Sequence, residues 1–488
     1  MRVALVHGYY LHDSGSGIYV RELAQAFVRL GHEVTLVCQE REPERCDFID
    51  SAYVLDADNA ELQRVYSAPR RYAGSCRLVR PHLAGKLLVY VEGPFPGFAP
   101  QDVTAFQNAT AEDRDRYIAS NVAALRTVFA QWPPELVLSQ HLIMQPFVVR
   151  TALAGSAPYI VTEHGSALNF SVRTCRDLVP FAIEGLVGAA VVATVSTGAR
   201  DDLVAWSAQQ GLDIAGKTVA LPPGIDAGRF APVGDRRAAI DSMLARVALP
   251  QGFDIRTDDD VLAFAGGLRN TKGVQHAVAA LPLIAQSRGK RQRLLVAGDG
   301  PASEPLGELS TLTAAGGSEA ARNAVARYEQ LQSPPEWGDV VVDAPPLPAG
   351  PSVAFLGHLD HAQLAAVLAA ADVALVPSVF PEAAALVNVE AFAAGALPLA
   401  SYHSGMASLD DFLAETFEDE VFTSLAPGPG LTSRLAAAVV HVLDRYPTAD
   451  PAFRMRIHGI ALSRYPTWEG TADAYLALAD EYSVNCVY

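Results

Sequence analysis

The chain has 488 residues, half of them hydrophobic and 19% charged, with a formal net charge of −17. That length exceeds one hydrophobic core and fits two domains of ordinary size, while the apolar content excludes disorder. The acidic balance excludes a nucleic-acid-wrapping surface, which needs clustered Lys and Arg. The cysteines Cys38, Cys46, Cys76, Cys175 and Cys486 are scattered, with neither a zinc cluster nor a secreted disulfide framework. The opening apolar run is too short for a signal peptide, and no stretch reaches the ~18 apolar residues of a membrane span. The chain is therefore expected to be cytoplasmic, with reduced thiols.

Residues 3–6 read as a short buried strand, followed by a loop holding Gly8, Gly15 and Gly17. Residues 19–30 have helical spacing, with Leu23, Ala26, Phe27 and Leu30 on one face; Gly31 stops the helix, and 33–38 read as the next strand. This is a βαβ opening. A dinucleotide-binding reading would use Gly15, Gly17 and Glu40. The glycines come late after the strand, however, and Val20 takes the third glycine's place. Residues 69–106 have an acceptor-specific look without a decodable pattern. At 159–161 another strand ends, and His164 follows at its carboxyl end in TEHGSAL.

LPPGIDAGRFAPVGDRR, rich in Pro, Gly and charge, reads as a linker, and Asp258, Asp259 and Asp260 read as a solvated run. A second βαβ opening follows about 260 residues after the first: strand 261–268, helix 273–287, and strand 293–297 ending in GDGP. Residues 302–350 exceed an ordinary connection and are expected to be a solvent-facing insertion that can be deleted. VAFLG, a helix at 361–371, VALVPS, a helix through Glu390 and LPLAS then continue the alternation that builds a parallel sheet.

The chemistry concentrates in Glu382-AAALVNV-Glu390. Glu382 stands where the chain leaves the carboxyl end of a strand, the place where open α/β sheets bind ligands. Glu390 lies in an apolar stretch, where a carboxylate needs partners. Between them a helix begins, with free N–H groups and a positive dipole end. Two carboxylates for hydroxyls and a helix terminus for phosphate suit a sugar linked to a nucleotide. No GxSxG, HExxH or Walker A sequence is present.

Here the chain resembles the retaining glycosyltransferases of family 4, of GT-B fold. Their signature is a Glu, seven residues and a second Glu, after a strand ending in Pro-Ser. The resemblance extends over SGSGIYVRELAQAF with GHEV, EHGSAL, TVSTGARDD, LPPGIDAGRF, GGLRNTKG, VAGDGP, FLGHLDHAQL and the late Trp468-Glu469. It implies two doubly wound Rossmann-like α/β domains facing a central cleft. Residues 1–230 would bind the acceptor, 231–260 would link, 261–465 would bind the nucleotide-sugar, and a helix in 466–488 would cross back to the first domain.

By the same resemblance Glu382 contacts the donor sugar, Glu390 the nucleotide ribose, Lys272 the leaving diphosphate and His164 the sugar. Gly15, Ser16, Gly17, Gly266, Arg269, Leu359, Ala385, Leu386 and Val387 would complete the donor site, with Ser166 and Asn169 toward the acceptor. A UDP-sugar stands ahead of a GDP-sugar, the acceptor is a small molecule or glycan, and no metal or cofactor is implied. Two departures stand out. Ala384-Ala385 replaces the family's Phe-Gly, and Gly267 stands where the family has a basic residue. Strand alternation would let Arg269 replace that lost charge. A GT-B sugar-nucleotide epimerase and a dinucleotide-dependent oxidoreductase are the alternatives.

Overall fold

The computed structural model describes residues 1–12, 14–91, 95, 97–329, 340–341, 343–347 and 351–485. It divides into two units, Met1–Gly224 with Pro466–Tyr488, and Ile225–Tyr465. Each is an α/β unit of doubly wound type.

The first unit contains Arg2–Val6 (β1), Glu33–Val37 (β2), Ser51–Leu55 (β3), Leu62–Ser67 (β4), Ser75–Arg80 (β5), Leu87–Val89 (β6) and Val103–Ala105 (β7). Leu136–Gln140 (β8), Tyr159–Glu163 (β9), Val191–Thr194 (β10) and Thr218–Ala220 (β11) follow. Strands β6 and β7 pair with each other, and the remaining nine form one sheet in the order β11-β10-β9-β8-β1-β2-β5-β3-β4. Only β3 and β4 pair antiparallel in that sheet. Val3, Ala4, Leu5 and Val6 are at most 2% exposed, as expected of a strand covered by helices on both faces. Strand order reverses between β1 and β8, which opens a crevice at their carboxyl ends.

The helix Gly15–Arg29 starts a turn earlier than its apolar spacing suggests, because the Ser14 side chain caps it, accepting from Gly17 N at 3.0 Å. The last helix, Trp468–Asn485, belongs to this unit. Its Tyr475 hydroxyl bonds the Tyr19 hydroxyl at 3.0 Å and the Thr162 hydroxyl at 2.9 Å, and the Trp468 ring meets Tyr19 edge-on.

The second unit contains Asp260–Ala265 (β12), Gln292–Ala297 (β13), Val353–Gly357 (β14), Val373–Val376 (β15) and Leu397–Ala400 (β16). They pair in parallel in the order β14-β13-β12-β15-β16, with the switch between β12 and β15.

Three expectations change here. Residues 231–260 are not a free linker: they include the helix Arg236–Leu244, whose Arg236 clamps Asp372 with two bonds of 2.9 Å. Asp258 is exposed as expected, but Asp259 and Asp260 are 5% exposed and face Arg291, Arg293 and Arg288, so two of the three acidic residues are not solvated. The described part of 302–350 is no solvent-facing excursion. It forms the helices Ser303–Ala314 and Ser318–Glu329, and Leu306, Leu309, Ala321, Val325 and Val340 lie in the unit's core. Polar composition hid this, because each helix contributes only a few apolar contacts. Residues 330–339, 342 and 348–350 lie outside the described residues.

Candidate active site

In the second unit the loops after β12 and β15 meet at the switch point. Gly273 has φ +70°, and a Cβ there would stand 1.7 Å from Pro377 O, so only glycine allows the two backbones to touch. This contact fixes the preceding residue. Lys272 Nζ lies 2.8 Å from Glu382 Oε2, the ammonium more exposed (38%) than the carboxylate (14%). Ser378 Oγ donates to the other carboxylate oxygen, and His403 Nε2 donates to Ser378 O at 3.0 Å. Burial lowers the His403 pKa. The Pro-Ser at the strand's end was visible in the sequence. His403 was not, since it arrives from the loop after β16.

The helix Leu386–Ala393 begins beside this pair, and no side chain caps it at Ala385. Its first N–H groups and its dipole are therefore available to an anion. Ala385 and Val387 rest on Val376, Ala400 and Met406, and Leu359 packs against the unit's core. One turn into the helix, Glu390 faces His361, with Nε2 3.4 Å from Oε1. It is half-buried, not sealed among apolar groups, because the helix turns that face outward.

The extended strand assumed for 267–269 in the expectation about Arg269 is not formed. Arg269 N donates to Gly267 O at 2.9 Å and Leu268 N to Asp299 O at 2.9 Å, so the chain turns between Gly266 and Arg269. Side-chain alternation belongs to extended strands and does not carry through such a turn. Gly267 itself borders open space, the nearest atom to a Cβ there being Asp299 O at 4.0 Å.

In the first unit, His7, Gln140, His141 and His164 gather at the carboxyl ends of β1, β8 and β9. His164 Nε2 donates to Gln140 Oε1 at 2.8 Å and its ring meets Tyr19 edge-on. His141 stands between His7 and His164, with ring centroids 5.4 and 5.0 Å away. Burial pushes His164 down to about 3 and His7 to about 4, so both are neutral at ordinary pH. His141 is lowered too, by burial and then by its two neighbours. Among the described residues, both ring nitrogens of His7 and His141 and Gln140 Nε2 are buried without a hydrogen-bond partner. The sequence pointed to His164 alone; His7 and His141 share its signal, a histidine directly after a strand.

Glu163, the last residue of β9, is 1% exposed and accepts from Gly165 N at 2.6 Å. It thereby holds the turn after His164. Ser166 leads into the π-helical segment Ala167–Val172, and Asn169 Oδ1 accepts from Arg173 at 2.6 Å. Gly15 borders open space, and Ser16 Oγ lies 3.3 Å from Ser14 Oγ. Gly17 has a packing duty instead: a Cβ there would stand 2.3 Å from Tyr10 O. Glu40 is unavailable as a dinucleotide's ribose acid, because it accepts from Leu11 N, Arg41 N and Glu42 N at 2.9–3.0 Å.

Two doubly wound units, one with a Lys–Glu pair beside an uncapped helix terminus at its switch point, define a glycosyltransferase of GT-B type. Residues 14–214 match the family described as glycosyl transferase 4-like domain, and residues 259–445 that described as glycosyl transferases group 1. The chain accordingly belongs to the family-4 type of these enzymes.

It is 29% identical over 492 residues to D-inositol 3-phosphate glycosyltransferase 2 of Catenulispora acidiphila, covering 97% of this chain and 94% of that one. It is 28% identical over 336 residues to 2-deoxystreptamine glucosyltransferase of Streptomyces kanamyceticus, covering 66% and 70%. In fold it is similar to sucrose-phosphate synthase from Thermosynechococcus elongatus, with TM-score 0.61 and 19% identity over 99% of this chain and 100% of that one. Among the described residues no helix is long and apolar enough to cross a membrane, and no three His, Cys, Asp or Glu side chains are grouped to hold a metal ion.

Proposed function

We propose that the chain is a retaining, metal-independent hexosyltransferase that moves a sugar from a nucleoside-diphosphate donor, a UDP-sugar before a GDP-sugar, to a hydroxyl acceptor. The carrying observation is Lys272 Nζ at 2.8 Å from Glu382 Oε2, next to the uncapped helix Leu386–Ala393. In this reading Lys272 and the helix N–H groups stabilise the leaving diphosphate, so charge is taken off the nucleotide without a metal. Glu382, released from Lys272 as the diphosphate takes the ammonium, contacts the donor sugar, and Glu390 the ribose. The leaving phosphate is the base for the incoming hydroxyl, which places the nucleophile on the departing face and retains configuration.

The first unit receives the acceptor, with neutral His164 as a hydrogen-bonding group toward the sugar. The relatives' names include both an amine and a phosphate among acceptors, and therefore leave acceptor charge open. The buried free thiols Cys38, Cys46 and Cys76 suit a reducing cytoplasm.

A thermal-shift panel of UDP, GDP, ADP and NAD, followed by a donor-hydrolysis screen in excess EDTA, tests this reading. Stabilisation by UDP or GDP and not NAD, with NMR showing the donor's anomeric configuration in the product, is expected. Inversion, or activity that returns only on adding Mn²⁺ or Mg²⁺, would overturn it.

A further inference from the structure

Within the second unit, the segment from Pro377 to Glu382 is gripped from both sides. On the β12 side, Val379 N donates to Thr271 O at 3.0 Å, and Gly273 packs against Pro377 O. On the β16 side, His403 Nε2 donates to Ser378 O at 3.0 Å, and Gly405 N donates to Glu382 O at 2.9 Å. Between those two donors stands Ser404, with φ +49°, a left-handed conformation that a non-glycine residue adopts only at a cost. Such strain persists where the surroundings over-determine it, and here the bonds made by His403 and Gly405 fix both neighbours.

The Glu382 carboxylate has two partners of different kinds. Lys272 Nζ holds Oε2 at 2.8 Å, and Ser378 Oγ donates to Oε1. The ammonium is the more exposed group and, in the transferase reading, goes to the diphosphate. Ser378 is 0% exposed, two residues after β15, so its hydroxyl stays where it is when the ammonium leaves. A carboxylate that lost both partners would turn among its rotamers, whereas a contact that strengthens as charge develops has to be oriented beforehand. A neutral hydroxyl orients the carboxylate without cancelling its charge. That charge is then left for the positive charge developing on the sugar.

We propose that Ser378 and His403 are positioning residues for the transfer: once the diphosphate has drawn Lys272 away, the Ser378 hydroxyl keeps the Glu382 carboxylate aimed at the donor sugar, and His403 keeps Ser378 in place. This rests on the transferase reading above and adds how its sugar contact stays oriented.

Two measurements on the full chain test it. The first needs no donor and compares crystal structures of Lys272→Met and Lys272→Met/Ser378→Ala. With the ammonium removed, Glu382 Oε1 is expected to stay within hydrogen-bond distance of Ser378 Oγ in the single variant, and the carboxylate to leave that position in the double variant. A carboxylate that leaves Ser378 in the single variant, or holds the same position in both, would overturn the proposal whatever sugar the enzyme transfers.

The second offers UDP-glucose, UDP-galactose, UDP-N-acetylglucosamine and GDP-mannose, follows hydrolysis of the one that the wild type turns over, and titrates UDP and GDP separately. Ser378→Ala should lower kcat roughly 10- to 100-fold and change nucleotide affinity less than about threefold. Ser378→Cys keeps the side chain's size but offers only a weak donor, so its kcat should fall as far; a purely packing role would leave it at the wild-type value. His403→Gln retains an N–H donor and should keep most of kcat, while His403→Leu should lose about tenfold. Wild-type kcat in Ser378→Ala or Ser378→Cys would overturn the proposal. A wild-type chain that binds neither UDP nor GDP would count against the donor reading instead, and the two crystal structures would still decide whether Ser378 orients Glu382.

Discussion

Glu163 couples the loop carrying His164 to pH. Burial, opposed by the bond from Gly165 N, raises its pKa from an ordinary 4.5 to about 7; Asp202 pushes it further up and Arg173 pulls it down. The folded chain thus holds this proton more tightly than the unfolded chain. The stabilisation is fully present below the ordinary value and is lost as pH rises through about 7. The gap between 4.5 and about 7 corresponds to about 3 kcal/mol.

Glu163→Gln keeps an acceptor for Gly165 N and imitates the protonated state at every pH. Urea denaturation can follow Trp132, Trp206 and Trp468, all in the first unit. At pH 5 the variant and wild type should differ by less than about 1 kcal/mol, and at pH 8 the variant should be more stable by about 3 kcal/mol. A difference that stays constant between pH 5 and 8, or a variant less stable at pH 8, would refute the assignment of the proton to Glu163.

Glu382→Gln should lower kcat far more than nucleotide affinity, since its contact gains as charge develops, whereas Glu390→Gln should weaken nucleotide binding by about 1–3 kcal/mol. Full activity in both would dismiss the paired carboxylates. Gly273→Ala forces a Cβ to 1.7 Å from Pro377 O at φ +70°, so it should cost more than about 1 kcal/mol of stability and lower kcat by displacing Lys272. An unchanged melting temperature with unchanged kcat would contradict that geometry. Leu306→Ala should cost about 2–5 kcal/mol, as for a fully buried leucine, and deleting 303–350 should abolish soluble expression. A Leu306→Ala cost below about 0.5 kcal/mol would return the segment to the surface.

Local chemistry was legible in the sequence. The two βαβ openings followed from periodicity, because a strand buried on both faces and an amphipathic helix differ in spacing within ten residues. His164 could be singled out because it stands directly after a strand, and Glu382 because it lies in the loop leaving one, where chain direction brings residues to the sheet's carboxyl edge; Lys272 was marked by its place in the family-like GGLRNTKG turn. The turn at 267–269 escaped, since its bonds to Asp299 and within the loop depend on β13 lying beside β12. His403 escaped for the same reason, meeting Ser378 only through the pairing of β15 with β16. The inserted helices read as solvent-facing because burial of Leu306 and Val325 is a property of their neighbours, and a short segment does not encode what covers it. Strand neighbours in a parallel sheet are joined through crossovers, so side chains distant in sequence share one edge only when the sheet has formed.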